Sequence, residues 1–340
     1  MARTITYQQA INEALEQEMR RDPAVVLFGE DVAGGSGGPE EDAWGGVLGV
    51  TKGLYGKFPG RVLDTPISES AYIGAAAGAA ASGLRPVAEL MFNDFVGVCF
   101  DQIFNQAAKF RYMFGGKTTT PMVIRTMYGA GIRAAAQHSQ SLYALFTHIP
   151  GLKVVIPSSP YEAKGLLIAS IRDDDAVIFF ENKVSYTEVG EVPEEPYAIP
   201  LGEANIVRDG DDVSIVAIGR MVRMAQQAAD ELAADGIQCE ILDPRTTSPL
   251  DEDSLYETVE RTGRLVVVDE ANPRCSMATD IAALVAQNSF EHLRGPIRMV
   301  TAPHTPVPFS PSLEDQYVPS AHRIAQAVRE TLGSPVGAGS

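Results

Sequence analysis

Two residues stand out for the chemistry that their surroundings permit. Glu69 lies in DTPISESAYIGAAAGAAASG, where a proline turn gives way to a run of very small residues. The residue before Pro66 is barred from helical backbone by the proline ring. A helix is therefore predicted from about Ser68 to Ser82, closed by Gly83 and followed by Pro86. A carboxylate at that helix start either steadies the helix dipole, by about 0.3–1 kcal/mol, or shares a proton with a ligand on the rim of a sheet. His138 stands in AAAQHSQS, flanked by small and amide side chains ahead of a helix. An imidazole there is either a general acid–base or a satisfied structural histidine. His304, in APHTPVP, takes a similar strand-end position; His148, His292 and His322 carry no such pattern.

Other chemistries lose support. No His/Cys cluster has transition-metal spacing, no GxGxxG follows the first strand, and no GxSxG elbow is present. Gly115-Gly116-Lys117-Thr118 imitates a phosphate loop, but Arg111 stands where its first glycine belongs, and the run precedes a strand instead of following one.

The elements that must position these residues alternate. Met1 to Thr4 leads straight into a helix opened by the capping box Thr6-x-x-Gln9, whose apolar spacing runs to Arg21. Val25–Phe28, the run before Asp64, the run up to Phe95, Met122–Arg125, Lys153–Ile156 and Val177–Glu181 read as strands. Helices are predicted over Thr51–Phe58, Ser68–Ser82, from Phe95 to about Met113, before His148 and from Ser159 to Arg172. Inside the Ser68–Ser82 helix, Gly74, Gly78 and Ser82 share a face. Each interior glycine costs about 1 kcal/mol against alanine, which predicts close approach of another backbone along that face. The glycine-rich segment Ala33–Gly49 holds the single tryptophan, Trp44, and reads as a long functional loop. EVGEVPEEPYAIP, residues 188–200, has three prolines and no apolar periodicity and reads as the linker. Beyond it, strands Val213–Gly219, Cys239–Leu242, Leu265–Asp269 and Ile297–Thr301 alternate with helices, the last over Ser320–Leu332. The expected fold is α/β, two three-layer αβα domains with mainly parallel sheets. The domains are expected at 1–190 and 201–333, with 191–200 linking them and 334–340 a disordered tail. Ligands of such sheets bind at the carboxyl ends of the strands, where Glu69, Phe95 and the loop before His138 all fall.

With 44 acidic against 27 basic residues the net charge is -17, which disfavours nucleic acid or an anionic membrane as partner and suits a basic protein. Cys99, Cys239 and Cys275 are far apart and read as reduced thiols of a cytoplasmic protein. The Ala/Gly-rich helix is too short and too weakly apolar to span a bilayer.

RVLDTPISES, GAAAGAAASGLRPVAELMF, FDQIFNQAAKFRYMFGGK, AAAQHSQSLYALFTHIPGLKVVIPSSPYEAKGLL and IRDDDAVIFFENK resemble the β subunits of the thiamine-diphosphate-dependent decarboxylase component of 2-oxo acid dehydrogenase complexes. ILDPRTTSPLD and VVVDEANPR in the second half are similar too, so the resemblance covers almost the whole chain. It implies a pyrimidine-binding domain followed by a transketolase C-terminal-like domain. The family acts on pyruvate, branched-chain 2-oxo acids or acetoin; ELMFNDFVGVCFDQIFNQAAKFRYMFGGK is most similar to the acetoin-cleaving member, which passes an acetyl unit to lipoamide. Pyruvate or branched-chain 2-oxo acids are the alternative substrates, and a non-catalytic scaffolding subunit is the alternative of another class.

The resemblance also implies roles. Glu69 matches the glutamate that hydrogen-bonds N1′ of the aminopyrimidine, favouring the imino tautomer whose 4′-nitrogen removes the thiazolium C2 proton. Phe95 matches the aromatic beside the pyrimidine. His138 matches the histidine that faces the reacting carbon and the incoming lipoyl group. A potassium site maps to Met122, Ser170, Ile171, Asp173 and Asp175, with Asp175 where relatives often have Asn. No GDG…N motif for the magnesium of the diphosphate is present, since Asp209-Gly210-Asp211 has the wrong order. The resemblance therefore implies an α subunit that holds magnesium and the diphosphate in an α2β2 heterotetramer. It also implies a lipoyl-bearing acyltransferase core with a basic subunit-binding domain.

Overall fold

Strands buried on both faces must be apolar almost throughout and need helical crossovers to run parallel; both halves of this chain meet that condition. The computed structural model describes residues 2–34 and 45–333. Most of the predicted Ala33–Gly49 loop, with Trp44, and the predicted tail 334–340 lie outside the described residues. By packing, the chain divides into two units. The first takes residues up to Tyr128 together with Leu145–Leu201; the second takes Gly129–Ala144 and everything from Gly202. The segment carrying His138 is thus counted with the second unit, although it interrupts the first in sequence.

The first unit holds β1 (Ala2–Thr6), β2 (Val25–Gly29), β3 (Val62–Asp64), β4 (Arg85–Phe92), β5 (Val123–Tyr128), β6 (Leu152–Val155), β7 (Ala176–Asn182) and β8 (Val189–Pro193). Its main sheet runs β6-β7-β5-β4-β2-β3, each pair parallel. Every residue of β5 and β7 is buried. The helix Tyr7–Arg21 opens with the expected capping box, Thr6 and Gln9 bonding reciprocally. The helix Pro160–Arg172 is capped by Ser159, which accepts from the Glu162 amide. Apolar faces of both helices enter one core with Leu27, Val87, Val123 and Phe179.

Four expectations fail here. The chain start is strand β1 instead of a helix entry, because Ala2–Thr6 pairs antiparallel with β8. That pairing also takes Val189–Pro193 out of the expected linker. The single helix expected up to Met113 is broken: a 3-10 turn at Asn93–Phe95, a helix at Val96–Asp101, a π-turn at Gln102–Ala107 and a last helical turn at Phe110–Met113. Cys99 leaves helical geometry at φ -125°, ψ 16°. Phe100 and Phe104 stack on each other at 5.4 Å. The helix expected over Thr51–Phe58 shrinks to Leu54–Lys57.

The second unit holds β9 (Asn205–Arg208), β10 (Val213–Ala217), β11 (Cys239–Asp243), β12 (Thr246–Ser248), β13 (Leu265–Asp269) and β14 (Arg298–Thr301). Its five-stranded sheet runs β14-β13-β10-β11-β9, parallel but for the β9 edge, and β12 stands outside it. Helices Met221–Ala234 and Ala321–Gly333 cover it through Ala225, Ala229, Ile324 and Val328. A short helix at Pro311–Tyr317, absent from the sequence expectations, begins with proline at its first turn. Among the described residues, no helix is long and apolar enough to cross a membrane.

Candidate active site

In the first unit, β3 ends beside β2 and the turn after it is tied down: the Thr65 amide donates to the Gly29 carbonyl at 3.0 Å, and Asp64 accepts from the Ala33 amide at 2.6 Å. The helix then starts at Glu69 and runs to Ala81. It ends in a Schellman pair, with the Gly83 amide on the Ala80 carbonyl and the Leu84 amide on Ala79, and Gly83 at φ +99°. Its buried face is Tyr72, Ile73, Ala76, Ala77 and Ala80. Among the described residues, no backbone atom outside their own helix comes within 4 Å of a Cβ built on Gly74 or Gly78. A Cβ on Gly74 would stand 3.2 Å from the Gln102 side chain, and one on Gly78 would meet nothing. That small-residue face is left open.

Glu69 is half-buried at the first helical position, and its carboxylate makes no hydrogen bond among the described residues. Glu30, just past the end of β2, is 5% exposed, and its Oε1 has no partner among the described residues. Burial, with the charges of Glu69 and Asp31 added, pushes the Glu30 carboxyl up from 4.5 to about 7. The buried Tyr72 hydroxyl is likewise unpartnered, and burial followed by the charges of Glu30 and Glu69 raises it. Cys99 is pushed up to about 12 by burial and then by Glu69, which leaves an inert thiol. Phe95 packs edge-on against Phe92 at 5.5 Å and rests on the core beneath. Two carboxyls, one of them titrating near neutrality, a phenol and an aromatic wall therefore gather at the carboxyl ends of β2, β3 and β4. Buried polar groups ordinarily have partners; groups left open at a strand end suit a ligand that supplies them. An aminopyrimidine, with a ring nitrogen for a carboxylate and a face for an aromatic, fits that donor set. Glu30 follows the predicted strand Val25–Phe28 after Gly29 and carries no sequence motif that marks it.

Beneath this corner a charged row crosses the sheet. Arg125 of β5 donates to Glu89 of β4 at 2.8 Å and to both oxygens of Glu181 of β7 at 2.6 and 2.8 Å, and the Tyr186 hydroxyl donates to Glu181 at 2.5 Å. Burial pulls the Arg125 guanidinium down, but the two carboxylates more than reverse it. Burial raises the Glu89 carboxyl despite that partner.

The residues of the expected potassium site are also in the first unit, and their oxygens are engaged. Arg85 Nη1 donates to the carbonyls of Ile171 at 3.1 Å and Asp173 at 2.9 Å. Lys153 sits on the Asp173 carboxylate at 2.6 and 2.8 Å, and Arg111 on Asp175 at 2.6 Å. The carbonyls of Met122 and Ser170 accept from the amides of Val177 and Asp173. Three side-chain cations thus already face Asp173, Asp174 and Asp175, and this donor set does not fit a further bare cation.

In the second unit His138 is half-buried, and beside it the Ser139 hydroxyl is buried with no partner among the described residues. The loop that carries them is closed across its base by the Gly129 amide on the Gln140 carbonyl at 3.1 Å. Arg133 and Ala135 hold positive φ, 63° and 59°, a conformation that costs about 1–2 kcal/mol per L-residue. Glu314, fully buried on the short helix Pro311–Tyr317, accepts from the amides of Gly131 at 2.7 Å and Arg133 at 3.2 Å and from Arg133 Nη1 at 2.6 Å. Tyr143 donates its hydroxyl to Asp269, a fully buried carboxylate that also accepts from the Ala271 amide at 2.8 Å. His304 is exposed past β14. Glu69 and Phe95 therefore belong to the first unit, His138 to the second, each with its own supports.

Comparison with known proteins identifies the fold and the family. Residues 3–188 match the family model described as transketolase, pyrimidine binding domain, and residues 202–324 match transketolase, C-terminal domain. The chain is 68% identical to the acetoin:2,6-dichlorophenolindophenol oxidoreductase subunit beta of Cupriavidus necator, over 98% of each chain. It is 61% identical to the protein of the same description from Bacillus subtilis, over 98% of this chain and 99% of that one. The 2-oxoisovalerate dehydrogenase subunit beta of Bacillus subtilis is 40% identical over 96% and 98%. A solved structure described as a split gene transketolase, inactive beta4 tetramer, superposes with a TM-score of 0.78 at 22% identity, covering 97% of this chain and 99% of that one; it supports the two-unit αβα fold.

Proposed function

The chain belongs to the β subunits of the thiamine-diphosphate-dependent 2-oxo acid dehydrogenase family, and from that premise we propose that it is the β subunit of an acetoin dehydrogenase. In that role it cleaves acetoin together with an α subunit and delivers the acetyl unit to lipoamide on an acyltransferase core. The acetoin assignment is supported by the relatives at 68% and 61% identity, against 40% for the 2-oxoisovalerate protein. The observation that carries the chemistry is the open carboxylate of Glu69 at a helix start, beside the partner-less Glu30.

Thiamine diphosphate, when bound, supplies the electron sink that stabilises a carbanion at the cleaved carbon. This chain's residues do the rest of the proton work. Glu69 shares a proton with the pyrimidine N1′. Glu30, titrating near 7, takes or returns a proton on that same acidic corner at neutral pH. Phe95 holds the ring face and keeps water away. As one sulfur of the lipoyl disulfide takes the acetyl unit and the S–S bond opens, His138 donates a proton to the sulfur released. Magnesium and the diphosphate fall to the α subunit, for which the open face of Gly74 and Gly78 is the contact surface in an α2β2 heterotetramer. The net charge of -17 suits a basic subunit-binding domain of the acyltransferase. Potassium has no part in this reading.

The test is reconstitution with the α subunit and a dye acceptor, comparing acetoin, pyruvate and branched 2-oxo acids. Acetoin should give the highest kcat/KM and the isolated chain none; a preference for pyruvate overturns the substrate, and turnover by the isolated chain overturns the two-subunit mechanism.

A further inference from the structure

We propose that Glu314 is a positioning residue for acetyl transfer, holding the His138 loop to the second unit in its working shape. The proposal rests on the transfer role given to His138 above and adds the device that sets its geometry.

The loop has reasons not to hold its shape alone. Arg133 and Ala135 both stand at positive φ without being glycine, and strain of that kind persists only where the surroundings over-determine it. Glu314 restrains this stretch at two backbone amides, and Arg220 adds a bond to the Ala130 carbonyl at 3.3 Å. The two oxygens of Glu314 divide between Gly131 and Arg133: Oε1 takes the Gly131 amide, and Oε2 takes the Arg133 amide and guanidinium. Arg133 extends the grip to Asp315 at 2.6 Å. A carboxylate with no solvent exposure and three donors is a fixed object, because any displacement would strand its charge away from water.

The far side of the loop is fixed the same way. Tyr143, itself fully buried, bonds Asp269, and that carboxylate is held at the end of β13 by the Ala271 amide. With the Gly129–Gln140 bond across the base, His138 lies between two buried acids that anchor the loop on either side. Burial for structure alone would not need a carboxylate: the neighbouring cluster of Ala130, Ala302, Val307 and Tyr317 is apolar. A carboxylate there fixes backbone amides in direction as well as in place. The consequence is a separation of duties. Damage at Glu314 should impair the step that uses His138 and spare the step that uses Glu69.

The experiment uses the reconstituted α2β2 complex with the lipoyl-bearing acyltransferase. Glu314→Gln keeps the shape of the side chain but removes the charge and turns one acceptor into a donor. Acetylation of the lipoyl domain should fall by about 10- to 100-fold in kcat, as for a group displaced by about 1 Å. Dye reduction from acetoin, which bypasses the lipoyl group, should change far less. Amide exchange at 130–136 should quicken. Arg133→Met, which leaves Glu314 its two amides, should show the same imbalance with a smaller loss, and it serves if Glu314→Gln does not assemble. Equal losses in both reactions, or normal acetylation despite faster exchange, overturn the proposal. His138→Ala is the control that tells the failures apart. If it impairs acetylation while Glu314→Gln does not, the positioning role alone is wrong; if it is itself silent, the role of His138 falls and the proposal with it.

Discussion

The Glu69 corner and the His138 loop use buried polar groups in opposite ways. Around Glu69, polar atoms are left open: the Glu69 carboxylate, Glu30 Oε1 and the Tyr72 hydroxyl have no partner among the described residues. Around His138, the two buried acids are filled: Glu314 takes three donors, and Asp269 takes a phenol and the Ala271 amide. An open polar group is costly until something binds it, by about 1–3 kcal/mol, whereas a filled one holds geometry. The first pattern marks a place prepared for a ligand; the second marks a segment held for use.

The sharpest way to break this contrast is to close the open corner. Glu69→Gln keeps the size of the side chain and loses the shared proton. In the reconstituted complex, dye reduction and lipoyl acetylation should both fall by about 10²–10⁴-fold, with assembly by size-exclusion chromatography unchanged. Near-normal activity would return Glu69 to a dipole-steadying charge. Next in size is the row beneath. Arg125→Met leaves Glu89 and Glu181 buried without a counter-charge, a loss of about 3–5 kcal/mol that calorimetry of the complex should register as a large drop in melting temperature.

A subtler change concerns pH. The Glu30 carboxyl, raised from 4.5 to about 7, keeps in the folded chain a proton that the unfolded chain releases. Its contribution to stability is therefore full below about 4.5 and is lost as pH rises through 7. Glu30→Gln removes that dependence, so melting temperature should decline less over this range in the variant than in the unaltered complex. Identical declines would show that Glu30 titrates normally. The smallest effect belongs to potassium. Replacing it with a bulky organic cation should leave melting temperature and turnover unchanged, since Arg85, Lys153 and Arg111 already occupy the oxygens of Ile171, Asp173 and Asp175.

Which of these features could be read from sequence follows from how local each is. The Glu69 helix was legible through its proline entry and its glycine exit, and Ser159 and Thr6 announced their caps, because caps and turns are set within a few residues. The alternation of strands and helices likewise revealed two αβα units. The β1–β8 pair was not legible, since Ala2–Thr6 becomes a strand only by meeting Val189–Pro193. Glu30 carried no signal in the sequence, because its burial depends on a sheet assembled from distant strands. Glu314 was missed for the same reason: its targets, Gly131 and Arg133, lie about 180 residues away in sequence. The π-turn at Gln102–Ala107 broke a pattern that apolar spacing alone reads as one helix.

The most direct test is the rate at which the C2 proton of bound thiamine diphosphate exchanges with deuterium in the reconstituted complex, measured by quenched-flow NMR for the unaltered chain and for Glu69→Gln. Exchange should be fast in the first and fall by orders of magnitude in the second, at unchanged cofactor occupancy. Equal exchange rates in the two would contradict the assignment of Glu69 as the activating group.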